Sequence, residues 1–412
     1  MTTTTTGVPE RPLASKLLRR AGIAVTLIVL MLLPSVILFT ITKQPSATYA
    51  SMGALIGIIA VAAGSVRIGV ITSVVVSLLA PITIVAGLSP ITGAAVMALM
   101  TLTVGRLATF GLHRAVVLVP IMLAWPMLTP IPWIPSSLHD KVQDELTSKG
   151  LTLNEAVAHL QSGSSAGSAS GSSSASSSMT TKITDALLHQ RMDSTYLAWI
   201  AAFFFIGTIF AVGATWFVMR KRPAPTLAGH PRSETVPYTI AITLLATVAT
   251  WYCLDHPKLV AGSFLVASIL VLTQLGNDIA WKLTIERVLG TFAGMALLVG
   301  IMKLLGSVTY TDVLGVPLPM KIYLIGIVFG VLAVTAKFSP RLWIYYVFIV
   351  PTAAMLNAFT AAQATDFGKQ RAVDNAVGAG LVIIAALVTL IGSRVMNRGH
   401  SDTDAIPTPS PA

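Results

Sequence analysis

Apolar runs of about 20 residues recur along this chain, and they restrict its fold more than any other feature. A helix needs roughly 20 apolar residues to cross a bilayer, and here 54% of the 412 residues are hydrophobic and only 10% are charged. In hydrocarbon every backbone polar group must be paired within its own element, and the runs lack the alternation of barrel strands. The sequence therefore predicts an all-α, polytopic membrane protein.

We predict about twelve transmembrane helices, arranged in two six-helix halves. The spans between residues 49 and 105 follow one another with very short connections. The predicted spans are 21–41, 49–65, 68–87, 90–105, 115–131, 196–218, 237–254, 259–275, 288–305, 322–336, 342–361 and 375–393.

These spans divide the chain into seven segments. The loop between the fifth and sixth spans contains SGSSAGSASGSSSASSS at 162–178, which has the composition of a flexible linker. The loop histidines fit no ligand spacing, so we predict neither a metal site nor a cofactor. The segments are a cytoplasmic N-terminal tail (1–20), the first membrane half with helices 1–5 (21–131), an extracytoplasmic loop (132–195), helix 6 (196–218), a cytoplasmic linker (219–236), the second membrane half (237–393) and a disordered C-terminal tail (394–412).

The basic residues predict the orientation of the chain. If both termini are cytoplasmic, most of the 27 Lys and Arg residues fall on the inner side, as the positive-inside rule requires. The net charge of +11 then reflects topology, and no basic-aromatic patch points to nucleic acid. The first apolar run is too long for a signal peptide and no A-x-A pattern follows it, so we expect a retained helix.

Arg287, Gly290, Thr291 and Gly294 form the most informative motif. Their i, i+3, i+4, i+7 spacing places them on one helix face. Gly290 and Gly294 form a G-x-x-x-G pair, which allows close helix contact, and the Thr291 hydroxyl can bond within its helix or to a neighbour. Arg287 then either snorkels to the headgroups, with the small face serving packing alone, or presents a guanidinium to a carboxylate at the mouth of a pathway.

A similar motif follows in the last span, as Arg371-x-x-Asp374-x-x-x-Gly378. Three predicted helices separate the two motifs, so they enter the membrane from opposite faces. A three-plus-three inverted repeat, common among secondary transporters, has this property. We therefore expect Arg287 and Arg371 to mark the inner and outer mouths of one anion pathway.

Acidic residues are confined to particular parts of the chain. Between Arg11 and His139 there is no Asp or Glu, so any carboxylate that carries a proton during transport would lie in or beside the second half. Asp374 and Asp278 are our candidates for gating or proton coupling, because they lie near the basic residues Arg371 and Lys282 at a membrane boundary. Alternatively, they are solvated acids at helix ends.

Residues 240–393 resemble the fusaric acid resistance (FUSC) and aromatic acid exporter superfamily. The stretch FLVASILVLTQLGNDIAWKLTIERVLGTFAGMALLVGI contains the family's Arg-x-x-Gly-Thr-x-x-Gly helix, and KFSPRLWIYYVFIVPTAAMLN and KQRAVDNAVGAGLVIIAAL resemble its later helices. The resemblance implies export of aromatic or other weak organic acids across the inner membrane, sometimes with a periplasmic adaptor; plant relatives are anion channels. The site assignments that follow are Arg287, Thr291, Arg371 and Asn357 for the substrate pathway, Asp374, Asp278 and Lys282 for gating, and Gly290, Gly294, Gly378 and Gly380 for helix packing.

We therefore predict an inner-membrane, multi-pass transporter that exports small organic anions. The alternative is an anion channel, or an accessory membrane subunit without a coupled transport cycle. An enzyme is disfavoured because the spans lack a dense set of Asp, Glu, His or Ser groups at fixed spacing. A periplasmic adaptor and a homo-oligomer are both compatible with the predicted function.

Overall fold

The chain is helical, apart from one short strand pair, throughout the part that the computed structural model describes. That part comprises residues 13–42, 44–130, 191–220, 227–256, 262–273, 280–305, 311–313, 316–318, 320–337, 341–356, 364–365 and 368–384.

We number the helices α1 to α12 in chain order. Val117 interrupts α5, and a 3-10 turn at Pro45–Thr48 leads into α2. The helices are α1 (Leu13–Thr42), α2 (Tyr49–Ala63), α3 (Val66–Ala86), α4 (Pro90–Ala108), α5 (His113–Leu128), α6 (Ser194–Met219), α7 (Arg232–Asp255), α8 (Gly262–Leu272), α9 (Ala280–Leu305), α10 (Met320–Ala336), α11 (Leu342–Leu356) and α12 (368–384).

Seven of the described helices are long and apolar enough to cross a membrane, namely α1, α2, α3, α4, α6, α7 and α9. Four others, α5, α8, α10 and α11, are apolar but shorter. The all-α class predicted from the apolar runs is confirmed, and the helices suggest a multi-pass membrane protein. The seven long helices are fewer than the twelve spans predicted.

Local signals separate the closely spaced helices of the first half. The Ser65 hydroxyl accepts a hydrogen bond from the Ile68 N–H at 3.3 Å and so caps α3. Pro90 begins α4, where its missing N–H costs no helical hydrogen bond. Asp193 caps α6 by accepting from the Thr195 N–H at 3.0 Å. Residues 49–108 therefore form three helices.

Glycines bring α2 and α6 into close contact in the first half. A Cβ built on Gly53 would lie 2.6 Å from the Phe204 carbonyl oxygen, and one on Gly57 would lie 2.5 Å from that of Thr208. Real Cβ atoms do not approach backbone oxygens this closely, so only glycine fits at either position. We call Gly53 and Gly57 the first-half glycine contact.

Gly290 and Gly294 have the same relation to α11 in the second half. A Cβ on Gly290 would lie 2.5 Å from the Trp343 carbonyl oxygen, and one on Gly294 would lie 2.6 Å from that of Val347. The G-x-x-x-G spacing therefore lets the backbones of α9 and α11 approach closely. We call Gly290 and Gly294 the second-half glycine contact.

One hydrophobic core joins the two halves. Met97 of α4 and Phe203 of α6 belong to the same buried cluster as Ala246 of α7, Ile269 of α8 and Ala379 of α12. Helix α4 also packs along α7, across the boundary between the halves. The second half is thus held against the first by apolar contacts.

A strand pair not predicted from the sequence lies between α9 and α10. Thr311–Val313 pairs antiparallel with Val316–Leu318, with Val313 opposite Val316. Several predictions concern residues outside the described part of the chain: most of the extracytoplasmic loop with its linker at 162–178, most of the N-terminal tail, the C-terminal tail and part of the linker between the halves.

Candidate functional site

Arg287 lies inside α9, not at its end. The helix begins at Ala280, so Arg287 is seven residues, or roughly 10 Å at 1.5 Å per residue, from its start. Arg287 was expected at a mouth because the predicted span began at residue 288. The side chain is only 7% exposed, so it is surrounded by neighbouring helices.

Hydrogen bonds tie the Arg287 guanidinium to two other helices. Its Nε and one Nη donate to Asn375 Oδ1 on α12 at 3.2 and 3.1 Å. The same Nη donates to Ser268 Oγ on α8 at 3.2 Å. The Ser268 hydroxyl also donates to Asn375 Oδ1, and Asn375 Nδ2 donates to Thr291 Oγ1 at 3.3 Å. We call Ser268, Arg287, Thr291 and Asn375 the polar network.

The polar network is buried and neutral apart from Arg287. Ser268 and Thr291 are each 1% exposed and Asn375 is 3% exposed. Thr291, which the sequence left free to bond within its helix or beyond it, accepts a hydrogen bond from another helix. The network therefore fixes α8, α9 and α12 relative to one another at the Arg287 guanidinium.

Arg371 lies close to this network. It precedes Asn375 by four residues on α12, so the two side chains share a helix face. Arg371 and Arg287 interact electrostatically, and Tyr345 of α11 interacts with both. The two arginines therefore occupy one region of the bundle, which corrects their expected placement at opposite mouths.

Aromatic rings lie beside both guanidinium groups. The Arg287 guanidinium carbon is 5.4 Å from the centre of the Tyr346 ring, and that of Arg371 is 4.6 Å from the centre of the Phe264 ring. Both distances fall within the range of cation–π attraction. The lining of the site is thus cationic and aromatic.

Among the residues that the structure describes, no carboxylate pairs with Arg287 or Arg371. Arg287 donates to an amide and a hydroxyl, and the Tyr346 phenol also interacts with it. Arg371 Nε is buried and has no hydrogen-bond partner, and the same is true of Asp374 Oδ2, one turn away. A buried cation without a countercharge is costly. The site therefore has a surplus of positive charge.

The last helix places its two predicted packing glycines differently. A Cβ on Gly378 would lie 2.9 Å from the Ser268 Cβ, so α12 packs on α8 at this point. A Cβ on Gly380 would meet nothing within 4 Å, so the prediction that Gly380 packs is wrong. Two residues turn a helix by about 200°, which puts Gly380 on the opposite face.

Of the three other predicted site residues, only Lys282 lies in the described part of the chain. It is near the start of α9, and its side chain is exposed. Asp278 and Asn357 lie outside the described residues. Three residues of the site were not predicted from the sequence, namely Asn375, Ser268 and Tyr346. Of these, Asn375 carried a signal, since an amide in a Gly-rich apolar helix is expected to bond across helices.

A second cluster of titratable groups lies where α4, α5 and α7 meet. The His113 ring centre is 5.3 Å from that of His230 and 6.3 Å from that of Tyr238. His230 Nδ1 lies 3.3 Å from Glu234 Oε2. Gly111, with φ +73°, makes the turn that allows the linker before α7 to approach. In the described residues, no group of three or more His, Cys, Asp or Glu could hold a metal ion.

Comparison with protein-family models, curated proteins and solved structures finds no match for this chain.

Proposed function

We propose that this chain is an inner-membrane transporter of the FUSC and aromatic acid exporter type, which exports small weak organic acids. Its substrate would be an aromatic carboxylate or a similar organic anion. The surplus of positive charge at the buried Arg287 and the half-buried Arg371 is the observation that carries the proposal.

The charge of the site supports an anionic substrate. Arginine stays charged when buried, and its fork of donors matches the two oxygens of a carboxylate. Arg371 Nε is buried without a hydrogen-bond partner. An entering carboxylate would supply the missing acceptor and the missing negative charge together.

The rings beside the arginines support an aromatic substrate. Tyr346 and Phe264 lie within cation–π distance of Arg287 and Arg371. Stacked or edge-on contacts between rings add to the burial of aromatic surface. A ligand with a carboxylate on an aromatic ring would use both kinds of contact.

Asp374 is the candidate for proton coupling. One of its carboxyl oxygens is buried and has no hydrogen-bond partner, and it lies one turn from Arg371. Intramembrane acids of this kind commonly serve proton relays. We expect Asp374→Asn to transport less and to lose part of the pH dependence of export, measured as flux between pH 5.5 and 8. An unchanged pH profile would remove Asp374 from the coupling mechanism.

The proposal includes twelve membrane-crossing helices with both termini in the cytoplasm. The seven long and four shorter apolar helices, together with α12, support this count, and the distribution of Lys and Arg supports the orientation. Reporter fusions at Ser170 and Ala224 should read outside and inside. The reverse result would contradict the topology.

The direct test is flux into proteoliposomes that contain the purified protein. Phthalate is a suitable probe because both carboxylates are ionised at pH 7.5, so it crosses protein-free bilayers poorly. We expect saturable phthalate uptake, and no uptake of the neutral diamide above that of protein-free vesicles. Arg287→Lys keeps the charge but loses the fork of donors, so it should reduce uptake. Arg67→Lys is the matched control, because Arg67 is exposed in the first half.

Counterflow separates a carrier from the alternative, an anion channel. Unlabelled phthalate inside the vesicles should accelerate entry of labelled phthalate through a carrier. Conductive flux without acceleration would favour a channel. No phthalate flux of either kind by the wild-type protein would overturn the proposed function.

A further inference from the structure

We infer that Asn375 is a positioning residue that sets the charge selectivity of the proposed site, because it gives Arg287 a neutral acceptor where a carboxylate would cancel its charge. The inference rests on the proposed function. It concerns one atom, Asn375 Oδ1, at the centre of the polar network.

The position of Oδ1 is the one that a carboxylate oxygen normally takes opposite an arginine. It accepts from Arg287 Nε at 3.2 Å and from one Arg287 Nη at 3.1 Å, and also from the Ser268 hydroxyl. Arginine at a buried site usually meets a carboxylate in this arrangement. Here an amide supplies the acceptor and leaves the positive charge uncompensated.

The nearest acid in the sequence is not the acceptor. Asp374 immediately precedes Asn375, but consecutive residues on a helix point about 100° apart. Asp374 Oδ2 has no hydrogen-bond partner, and Arg287 bonds to the amide instead. The helix therefore turns its acid away from Arg287 and its amide towards it.

An aspartate would fit at position 375 with little change of shape. The side chains of Asn and Asp are nearly isosteric, and Oδ1 would keep its three donors. The second oxygen would replace Nδ2, which donates to Thr291 Oγ1 at 3.3 Å. Since the Thr291 hydroxyl can either donate or accept, it can donate to that oxygen. Asn375→Asp thus changes the charge of the network and preserves its hydrogen bonds.

The two roles open to Asn375 predict different results for this substitution. If Asn375 only ties the helices together, Asn375→Asp keeps the ties and phthalate flux continues. If Asn375 instead leaves the charge of Arg287 free to attract an anion, the new carboxylate pairs with Arg287, and phthalate is no longer attracted to the site. Meanwhile the protein should become no less stable, because a buried cation has gained a partner.

The test compares wild-type protein, Asn375→Asp and Gln44→Glu in the same proteoliposomes. Gln44 is a matched control, since it is a buried amide of the first half at 7% exposure. We expect Asn375→Asp to lower phthalate flux per folded protein by about tenfold or more, which corresponds to about 1.4 kcal/mol. Its melting temperature should equal or exceed that of the wild type. Gln44→Glu should retain most of the flux of its folded fraction.

Each outcome decides the matter. Wild-type flux from Asn375→Asp, with phthalate transported normally, would overturn the inference and leave the proposed function intact. An Asn375→Asp protein that does not fold would also overturn it, because the inference requires the network to accept a carboxylate. Equal loss of flux in Gln44→Glu would also overturn the inference, because added negative charge would then lower the flux regardless of its position. Absence of phthalate flux in the wild type would instead count against the proposed function.

Discussion

The buried serine and threonine hydroxyls of the first half form different hydrogen bonds from those of the polar network in the second half. In the first half, several of these groups bond to the preceding turn of their own helix. Ser73 Oγ donates to the Gly69 carbonyl at 2.9 Å, and Thr208 Oγ1 donates to the Phe204 carbonyl at 2.6 Å. Such bonds satisfy the hydroxyl without holding another helix.

In the second half, the hydroxyls of the polar network bond between helices. Ser268 on α8 accepts from Arg287 on α9, and Thr291 on α9 accepts from Asn375 on α12. These bonds surround a buried cation, and the buried residues described in the first half include no Arg or Lys. Close glycine packing is common to both halves. The partly buried Arg191 before α6 donates to the Gly87 carbonyl at 3.0 Å, whereas Arg287 bonds to side chains of two other helices. On this comparison, the proposed anion site lies in the second half, and the first half packs against it.

The largest effect is expected from removing the charge. Arg287→Met should reduce phthalate flux by about a hundredfold, since losing a buried charged contact typically costs 2–5 kcal/mol of binding. Stability should change little, because the loss of its three hydrogen bonds is offset by the removal of a buried cation that has no countercharge. Flux and melting temperature should be measured on the same preparation. Arg67→Met, at an exposed first-half position, should change neither; a large loss of flux in it would undermine the contrast between the halves.

Glycine replacement should affect both halves alike. Gly53→Leu and Gly290→Leu each place a side chain where a Cβ alone would lie 2.5–2.6 Å from a backbone oxygen. Overpacking of this kind typically costs about 1–3 kcal/mol, so the folded yield in membranes should fall. Gly300→Leu is the control, because a Cβ there meets nothing within 4 Å. Normal yield from Gly290→Leu would show that the second-half glycine contact is not needed for packing.

A smaller difference is expected between two serines. Ser268→Ala removes a bond between helices and should lower the free energy of unfolding by about 1 kcal/mol. Ser73→Ala removes a bond to its own helix and should cost less, because the Gly69 carbonyl keeps its helical partner. Both values can be read from reversible unfolding in mixed detergent. Equal costs would mean that the two halves do not differ in their polar contacts.

The sequence predicted one face of the site but not its partners. The spacing of Arg287, Gly290, Thr291 and Gly294 fixes their common helix face, because helical period alone decides it. Ser268 and Asn375 are 107 positions apart in the chain, and nothing local in the sequence brings them together. Their contact depends on how α8 and α12 pack.

Helix boundaries account for the main error about the site. Lys282 and Glu286 made the segment before residue 288 look like a membrane boundary, but α9 begins at Ala280. Arg287 therefore lies deeper than expected. The class of fold was predictable because the apolar runs are long, whereas the ends of helices depend on a few polar residues whose partners lie elsewhere.

Equilibrium binding of labelled phthalate to the purified protein tests the central claim most directly. Arg371 is the cation whose Nε is buried without a hydrogen-bond partner. We therefore expect saturable binding to wild-type protein and to Arg67→Gln, with loss of at least about tenfold in affinity in Arg371→Gln, which corresponds to 1.4 kcal/mol. Binding to Arg371→Gln with wild-type affinity would contradict the account, since the surplus positive charge would then play no part in holding the anion.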